Sequence, residues 1–141
     1  MAKYRTALPQ LSDGVFLSYV GMNTDLIFNR GIDLPGFAEF TLLESDEGRE
    51  ILRNYLADQI NLAKQTGVGV LLESPTWMAN RDRGAAIGYT PERISTLNHE
   101  AIKLLAEVRD QHGDLPTILS AQVGPRGDAY SPADTDIAGC D

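Results

Sequence analysis

Cysteine is nearly missing from this chain: Cys140 is the only one in 141 residues. A single cysteine cannot close an intrachain disulfide, so a cross-linked secreted scaffold is excluded and the cytoplasm is the expected compartment. Histidine is almost as scarce, with only His99 and His112. Both read as residues of a helix surface, and no metal site is expected within the chain. Basic residues are outnumbered, 12 against 20 acidic ones, for a formal charge of -8. Without a Lys/Arg cluster, a phosphate backbone or an anionic bilayer surface is a poor partner, so neither nucleic acid nor membrane is expected. No apolar run approaches the ~20 residues of a membrane span. The opening stretch MAKYRTALPQ also lacks the apolar run of a signal peptide.

What is present suits one folded domain. The chain is 43% hydrophobic and 23% charged, an ordinary globular balance at a length that can bury a core. Val15 to Val20 reads as a short strand. Thr24-Asp25 is positioned to cap a short helix through Leu26, Ile27 and Phe28, ended by Gly31. Pro35 and Gly36 mark a loop. Ser45 is a good N-cap, with Asp46 and Glu47 placed where the helix dipole favours anions. Leu52, Leu56, Ile60 and Ala63 then share one helical face, and Gly67 stops that helix.

Val68 to Leu72 is an apolar run of the kind that suits a strand covered on both faces. A loop with a short helical turn follows, SPTWMANRDRGAAIGY, in which Asn80 to Arg83 reads as a solvated helix face. Thr90-Pro91 opens the next helix. Ile94, Leu97, Ala101, Leu104, Leu105 and Val108 form the clearest amphipathic pattern in the chain. Gly113 ends it, and Pro116 introduces a third strand, Thr117 to Ala121. Strand, helix, strand, helix, strand predicts parallel pairing in an α/β fold.

Ligands in such folds sit at the carboxyl ends of the strands. Three such ends are visible, SYVGMNTD, LESPTW and QVGPRGD. Glu73, directly after the second strand, reads either as a contact for a substrate amine or as a loop-capping carboxylate. Thr76 reads either as a ligand contact or as the cap of the turn at Met78. Trp77 reads as a lid over the strand ends or as a packing residue. Arg126 reads as an anion clamp or a solvated loop arginine. Gly21, Gly124 and Gly127 permit unusual φ and allow close approach by a ligand.

These segments carry a resemblance. Gly21-Met22, Thr24-Asp25 and Leu26 match the first segment of the homocysteine S-methyltransferase family. Thr76-Trp77 with Ala79-Asn80 match its second, and Gly124-Pro125 with Gly127 its third. The order and spacing agree over roughly residues 11 to 130. Where the family reads D-G-G, this sequence has Tyr19-Val20-Gly21.

The resemblance implies that residues 1–130 form the N-terminal part of a (β/α)8 barrel, about three parallel strands with intervening helices. It also implies zinc-dependent methyl transfer to a thiol in full-length relatives, with three cysteines from the other half of the barrel holding the zinc. This chain alone is then expected to be inactive, a truncated piece without a cofactor of its own. The substrate-binding positions it points to are Tyr19, Gly21, Glu73, Thr76 and Gly124. A homo-oligomer is expected to cover the open sheet, and residues 131–141 to form a poorly ordered tail. A second reading is a small-ligand-binding or oligomeric half-barrel module without catalysis, its pocket reshaped by Tyr19.

Overall fold

The computed structural model describes residues 4, 6–18 and 21–127. Three strands, β1 (Phe16–Leu17), β2 (Gly69–Glu73) and β3 (Thr117–Ser120), form one parallel sheet in the order β1-β2-β3. Phe16 pairs with Gly69, and Val70 to Glu73 pair with Thr117 to Ser120. The fold is thus mixed α/β with a parallel sheet, as the alternation of apolar runs predicts. The β1 strand is shorter than Val15 to Val20. Val15 contributes its carbonyl to Gly69 N at 3.0 Å, while Tyr19 and Val20 lie outside the described residues, as does the tail at 131–141.

Four helices lie between the strands: α1 (Met22–Thr24), α2 (Asp46–Thr66), α3 (Arg81–Ala86) and α4 (Pro91–Gln111). Ser45 Oγ accepts from Gly48 N at 3.0 Å, and Gly67 closes α2 with φ 69°. Thr90 Oγ1 accepts from Arg93 N at 3.2 Å, ahead of Pro91 at the first helical position. Leu52, Leu56, Ile60 and Ala63 of α2 are fully buried, as are Leu97, Ala101 and Leu105 of α4. Each large apolar side chain so buried contributes roughly 1.5–3 kcal/mol. Ion pairs Arg49–Glu100 at 2.5 Å and Arg53–Glu107 at 3.2 Å link the two long helices along their flanks.

Both long helices pack on one face of the sheet. Side chains alternate along a strand, and paired residues of a parallel ladder point the same way. Leu17, Val70, Leu72 and Leu119 therefore share a face, and all four belong to the helix-packed core. Phe16, Gly69, Leu71, Glu73, Ile118 and Ser120 take the other. That face is not bare: Ile118 is buried and Phe16 and Leu71 are half-buried. The Phe16 ring lies so close over Gly69 that a Cβ there would sit 2.2 Å from it.

Two segments differ from the expectation. The first helix begins at Met22, with Gly21 (φ 76°) rather than Thr24 or Asp25 at its N-terminal flank. It widens into a π turn over Asp25–Asn29, where Arg30 N reaches Asp25 O at 3.1 Å. The cause is side-chain chemistry: the Asp25 carboxylate accepts from Asn29 Nδ2 at 2.9 Å and Arg30 Nε at 2.7 Å, within its own helix rather than at its end. Those two bonds, Asn29 first, hold the Asp25 carboxyl below its ordinary range.

The second difference is the stretch after Pro35, which is not plain loop. It forms 3₁₀ turns over Pro35–Phe37 and Glu39–Glu44. Phe40 and Leu43, three residues apart, are fully buried, and Phe40 meets Tyr89 edge-on at 5.1 Å.

Burying Phe40 and Leu43 carries Glu39 into the core, where it is 1% exposed. Neither carboxyl oxygen finds a hydrogen-bond partner. Burial raises its pKa to about 7; its own backbone N–H and the Asn23 side chain lie near enough to favour the charged form, but neither is in hydrogen-bonding geometry and burial outweighs them. The folded value stands above the unfolded one, so the stability tied to this group is complete below the unfolded pKa of 4.5 and is lost as pH rises through about 7. Glu39→Gln is expected to stabilise the protein relative to wild type above pH 8, by on the order of 3 kcal/mol, with the difference vanishing near pH 4. Urea unfolding at both pH values measures it; a pH-independent difference would refute the account.

Candidate functional site

The carboxyl ends of β2 and β3 are joined into one rim. The ladder continues past the strands, with Ser74 N donating to Ser120 O at 3.0 Å. Ser74, 0% exposed, then sits at the centre of a closed set of bonds. Thr76 Oγ1 donates to Gln122 O at 2.7 Å, and Gln122 N donates to Ser74 Oγ at 2.9 Å. Because the Thr76 proton is spent on Gln122, the 2.6 Å contact between the two hydroxyls must be Ser74 donating to Thr76. Every proton in the set has one destination.

Further along, the loops are fastened again. Asn80 caps α3 through Oδ1, which accepts from Arg83 N at 3.0 Å, while its Nδ2 donates to Pro125 O at 3.1 Å. Arg83 donates to Gly127 O at 2.5 Å, and Arg126 pairs with Asp82 at 2.6 Å. The Arg126 hydrogen bond is the leading reason that the Asp82 carboxyl lies below its ordinary range. Asn80 to Arg83 do form an exposed face at the start of α3, as their charge pattern suggests, but Asn80, Asp82 and Arg83 also make bonds that the pattern does not show. They hold the loop after β3 against the loop after β2, across more than 40 residues of sequence. Gly124 completes the seam. A Cβ there would lie 1.9 Å from the Trp77 carbonyl oxygen, so no other residue fits. Trp77 itself packs against the core.

Of the five candidate positions, the structure brings two together. Thr76 and Gly124 line one small cavity of about 170 Å³ with Asn80, Asn98 and Gln122. Gly21 lines a different cavity, of about 320 Å³, beside α2. Glu73 ends β2 on the sheet face away from the helices. It is half-buried, burial raises its pKa, and among the described residues its carboxylate has neither hydrogen bond nor ion pair. Tyr19 lies outside the described residues. Two polar groups that sequence reasoning passed over are prominent. Gln122 Oε1, at the small cavity, is buried without a partner, and Glu39 stands unpaired in the core. Neither was signalled by spacing; a carboxylate between two buried apolar residues, Ala38 and Phe40, was the available clue.

No group of three His, Cys, Asp or Glu side chains converges on a metal-binding geometry among the described residues. The two imidazoles are committed locally: His99 Nδ1 lies 2.8 Å from Ser95 O, and His112 Nδ1 lies 2.8 Å from Val108 O. A catalytic zinc of the three-cysteine kind does not fit the donor set of the described residues. Among the described residues, no helix is long and apolar enough to cross a membrane.

The seam is expected to contribute measurably to stability. Thr76→Val removes the hydroxyl at nearly constant shape and strands the Gln122 carbonyl and the Ser74 proton, for a loss of about 1–3 kcal/mol in urea unfolding. Thr76→Ser, which keeps the hydroxyl, should recover most of it. Equal losses for both would show that the methyl group matters rather than the bond.

Comparison of the chain with family models, with curated proteins and with solved structures finds no match.

Proposed function

We propose that this chain supplies the opening arc of a (β/α)8 barrel of the homocysteine S-methyltransferase type and that it carries out no methyl transfer alone. The observation that supports this most is the winding. Three parallel strands stand in sequential order with both long helices on one face. A singly wound layer of that kind leaves its second face turned inward toward a barrel axis. Glu73 sits at the inward face and at the carboxyl end of its strand, where an unpaired carboxylate can hold the amino group of a thiol amino acid. Its raised pKa and lack of a counter-ion suit a group whose cation comes with the ligand.

In this reading Gly21, Thr76 and Gly124 shape the rim rather than touch the reacting atoms. The Thr76 hydroxyl is already spent on Gln122, and Gly124 is packed on Trp77. The thiol-activating zinc and its cysteines belong to strands these residues do not supply.

One observation favours the second reading, a small-ligand module without catalysis. The 170 Å³ cavity is formed entirely by this chain, and the partnerless Gln122 Oε1 at it can accept a hydrogen bond.

The lone chain, given zinc, homocysteine and a sulfonium methyl donor, is expected to form no methionine. Adding a polypeptide that carries the cysteine-bearing half of such a barrel should restore turnover. Glu73→Gln should then lower the restored rate about tenfold or more, the effect of a lost charged hydrogen bond. Zinc-dependent methyl transfer by these residues alone would overturn the proposal. Saturable binding of homocysteine or methionine by the lone chain in calorimetry would favour the ligand module instead.

A further inference from the structure

The helical layer stops short at both ends. Among the described residues, β1 and β3 are the two edges of the sheet. Beside β1 lies a cleft of about 320 Å³, floored by Leu17, walled by Tyr55 and Leu62 of α2, and rimmed by Asp25, Asp58 and Arg30. It is unfinished in polar terms as well. Gln59 is 7% exposed and Tyr55 is 4% exposed, and Gln59 Nε2 and Tyr55 Oη, though neighbours, make no hydrogen bond of good geometry with each other or with any other described residue. At the other end, on the outer flank of α4, Asn98, Ile102 and Ala106 form an i, i+4 row, or ridge, spaced one turn apart, and with His99 and Lys103 they border a shallow hollow of about 510 Å³. Leu62 in the cleft is 48% exposed and Ile102 on the ridge is 37% exposed.

The two ends are complementary in charge. Arg30 is engaged by Asp25 at 2.7 Å and more loosely by Asp58 at 3.7 Å, leaving the cleft rim one negative charge in excess. The Asp58 side chain is 69% exposed. Lys103 on the ridge is 77% exposed and reaches only Glu107, at 4.0 Å. An i, i+4 ridge is the element that fits a groove between packed helices, and the Asn98 side-chain carbonyl can accept from a buried amide donor.

We propose that a second copy of this chain docks here head to tail, the α4 ridge of one copy in the β1–α2 cleft of the next, with β3 of the first beside β1 of the second. The occupant is a second copy because both halves of the contact, donor and acceptor, cation and anion, ridge and cleft, are present on one chain. The surface is heterologous, so each copy keeps a free end and association extends until a ring closes. The proposal rests on reading the chain as an arc of a larger βα layer, not on its chemistry.

Light scattering across a concentration series tests it. The wild-type chain should show a mean mass that rises with concentration. Asp58→Lys and Lys103→Glu should each weaken self-association by about tenfold or more, since each places like charges across the contact. Both positions are exposed, and circular dichroism should show unchanged helix content. An equimolar mixture of the two variants should associate as the wild type does, because Asp58 of one then meets Lys103 of the other at one contact and Lys meets Glu at the next. A wild-type chain that stays monomeric, single variants that associate normally, or a mixture that fails to recover would each overturn the proposal. Methyl transfer by the lone chain would end the proposed function without touching this result.

Discussion

Burial of Val70 and Leu72 of the central strand beneath α2 and α4 is the constraint on which the fold depends. Both side chains are fully excluded from water, and the apolar stripes of both long helices converge on them. A parallel ladder has no local turn to fix its register; the register follows from which residues must face the helices. With Val70 and Leu72 inward to the helices, Leu71 and Glu73 have no choice of face. A one-residue slip would carry the Glu73 carboxylate into the apolar layer and expose two aliphatic side chains. Placement of the candidate amine-binding group is therefore a consequence of core packing.

The same one-sidedness separates scaffold from chemistry. On the helix side, polar groups serve assembly: ion pairs between α2 and α4, caps at Ser45 and Thr90, and the seam of Ser74, Thr76 and Gln122 at the rim. On the other side stands a carboxylate with no partner among the described residues. A rim whose hydroxyl protons are all assigned before any ligand arrives is preorganised, since its geometry does not depend on the ligand. The cost is that its members have little hydrogen-bonding capacity left to offer. Of the motif residues at the strand ends, those most firmly bonded are the least available for recognition.

Legibility in the sequence divides along the same line. Patterns within one element were readable: the 3–4 spacing from Ile94 to Val108 gives α4 and its buried face residue by residue, and Ser45 and Thr90 cap where a hydroxyl before an acidic turn or a proline predicts. What could not be read involves partners distant in sequence. Asn80, Asp82 and Arg83 are the surface groups their pattern suggests, but their role in tying two loops could not be read, because their partners, Pro125, Arg126 and Gly127, are more than 40 positions away. Gly124 reads as a turn glycine, whereas its constraint is the Trp77 carbonyl. The π turn was hidden because Asp25 resembles a cap until Asn29 and Arg30 are seen to draw its carboxylate back over its own helix. Glu39 was hidden by its class, since carboxylates are rarely buried and nothing nearby in sequence offers a cation.

That last residue bears on how the stretch between β1 and α2 is built. An unpaired carboxyl in a core is tolerated near neutral pH only because it can take up a proton, and its presence implies that the packing of Phe40 and Leu43 outweighs the desolvation of the residue beside them. The 3₁₀ turn leaves no slack: Gly48 in the first turn of α2 lies against the Leu42 carbonyl so closely that a Cβ would be 2.1 Å away. In the six-residue 3₁₀ segment Glu39–Glu44 the side chains repeat every three residues, so Phe40 and Leu43 share the inward face and Glu39, on the neighbouring row, is enclosed beside them. A polar residue at that position is a defect in an isolated domain. The buried carboxyl is thus a consequence of packing Phe40 and Leu43, accommodated by its raised pKa rather than by a partner.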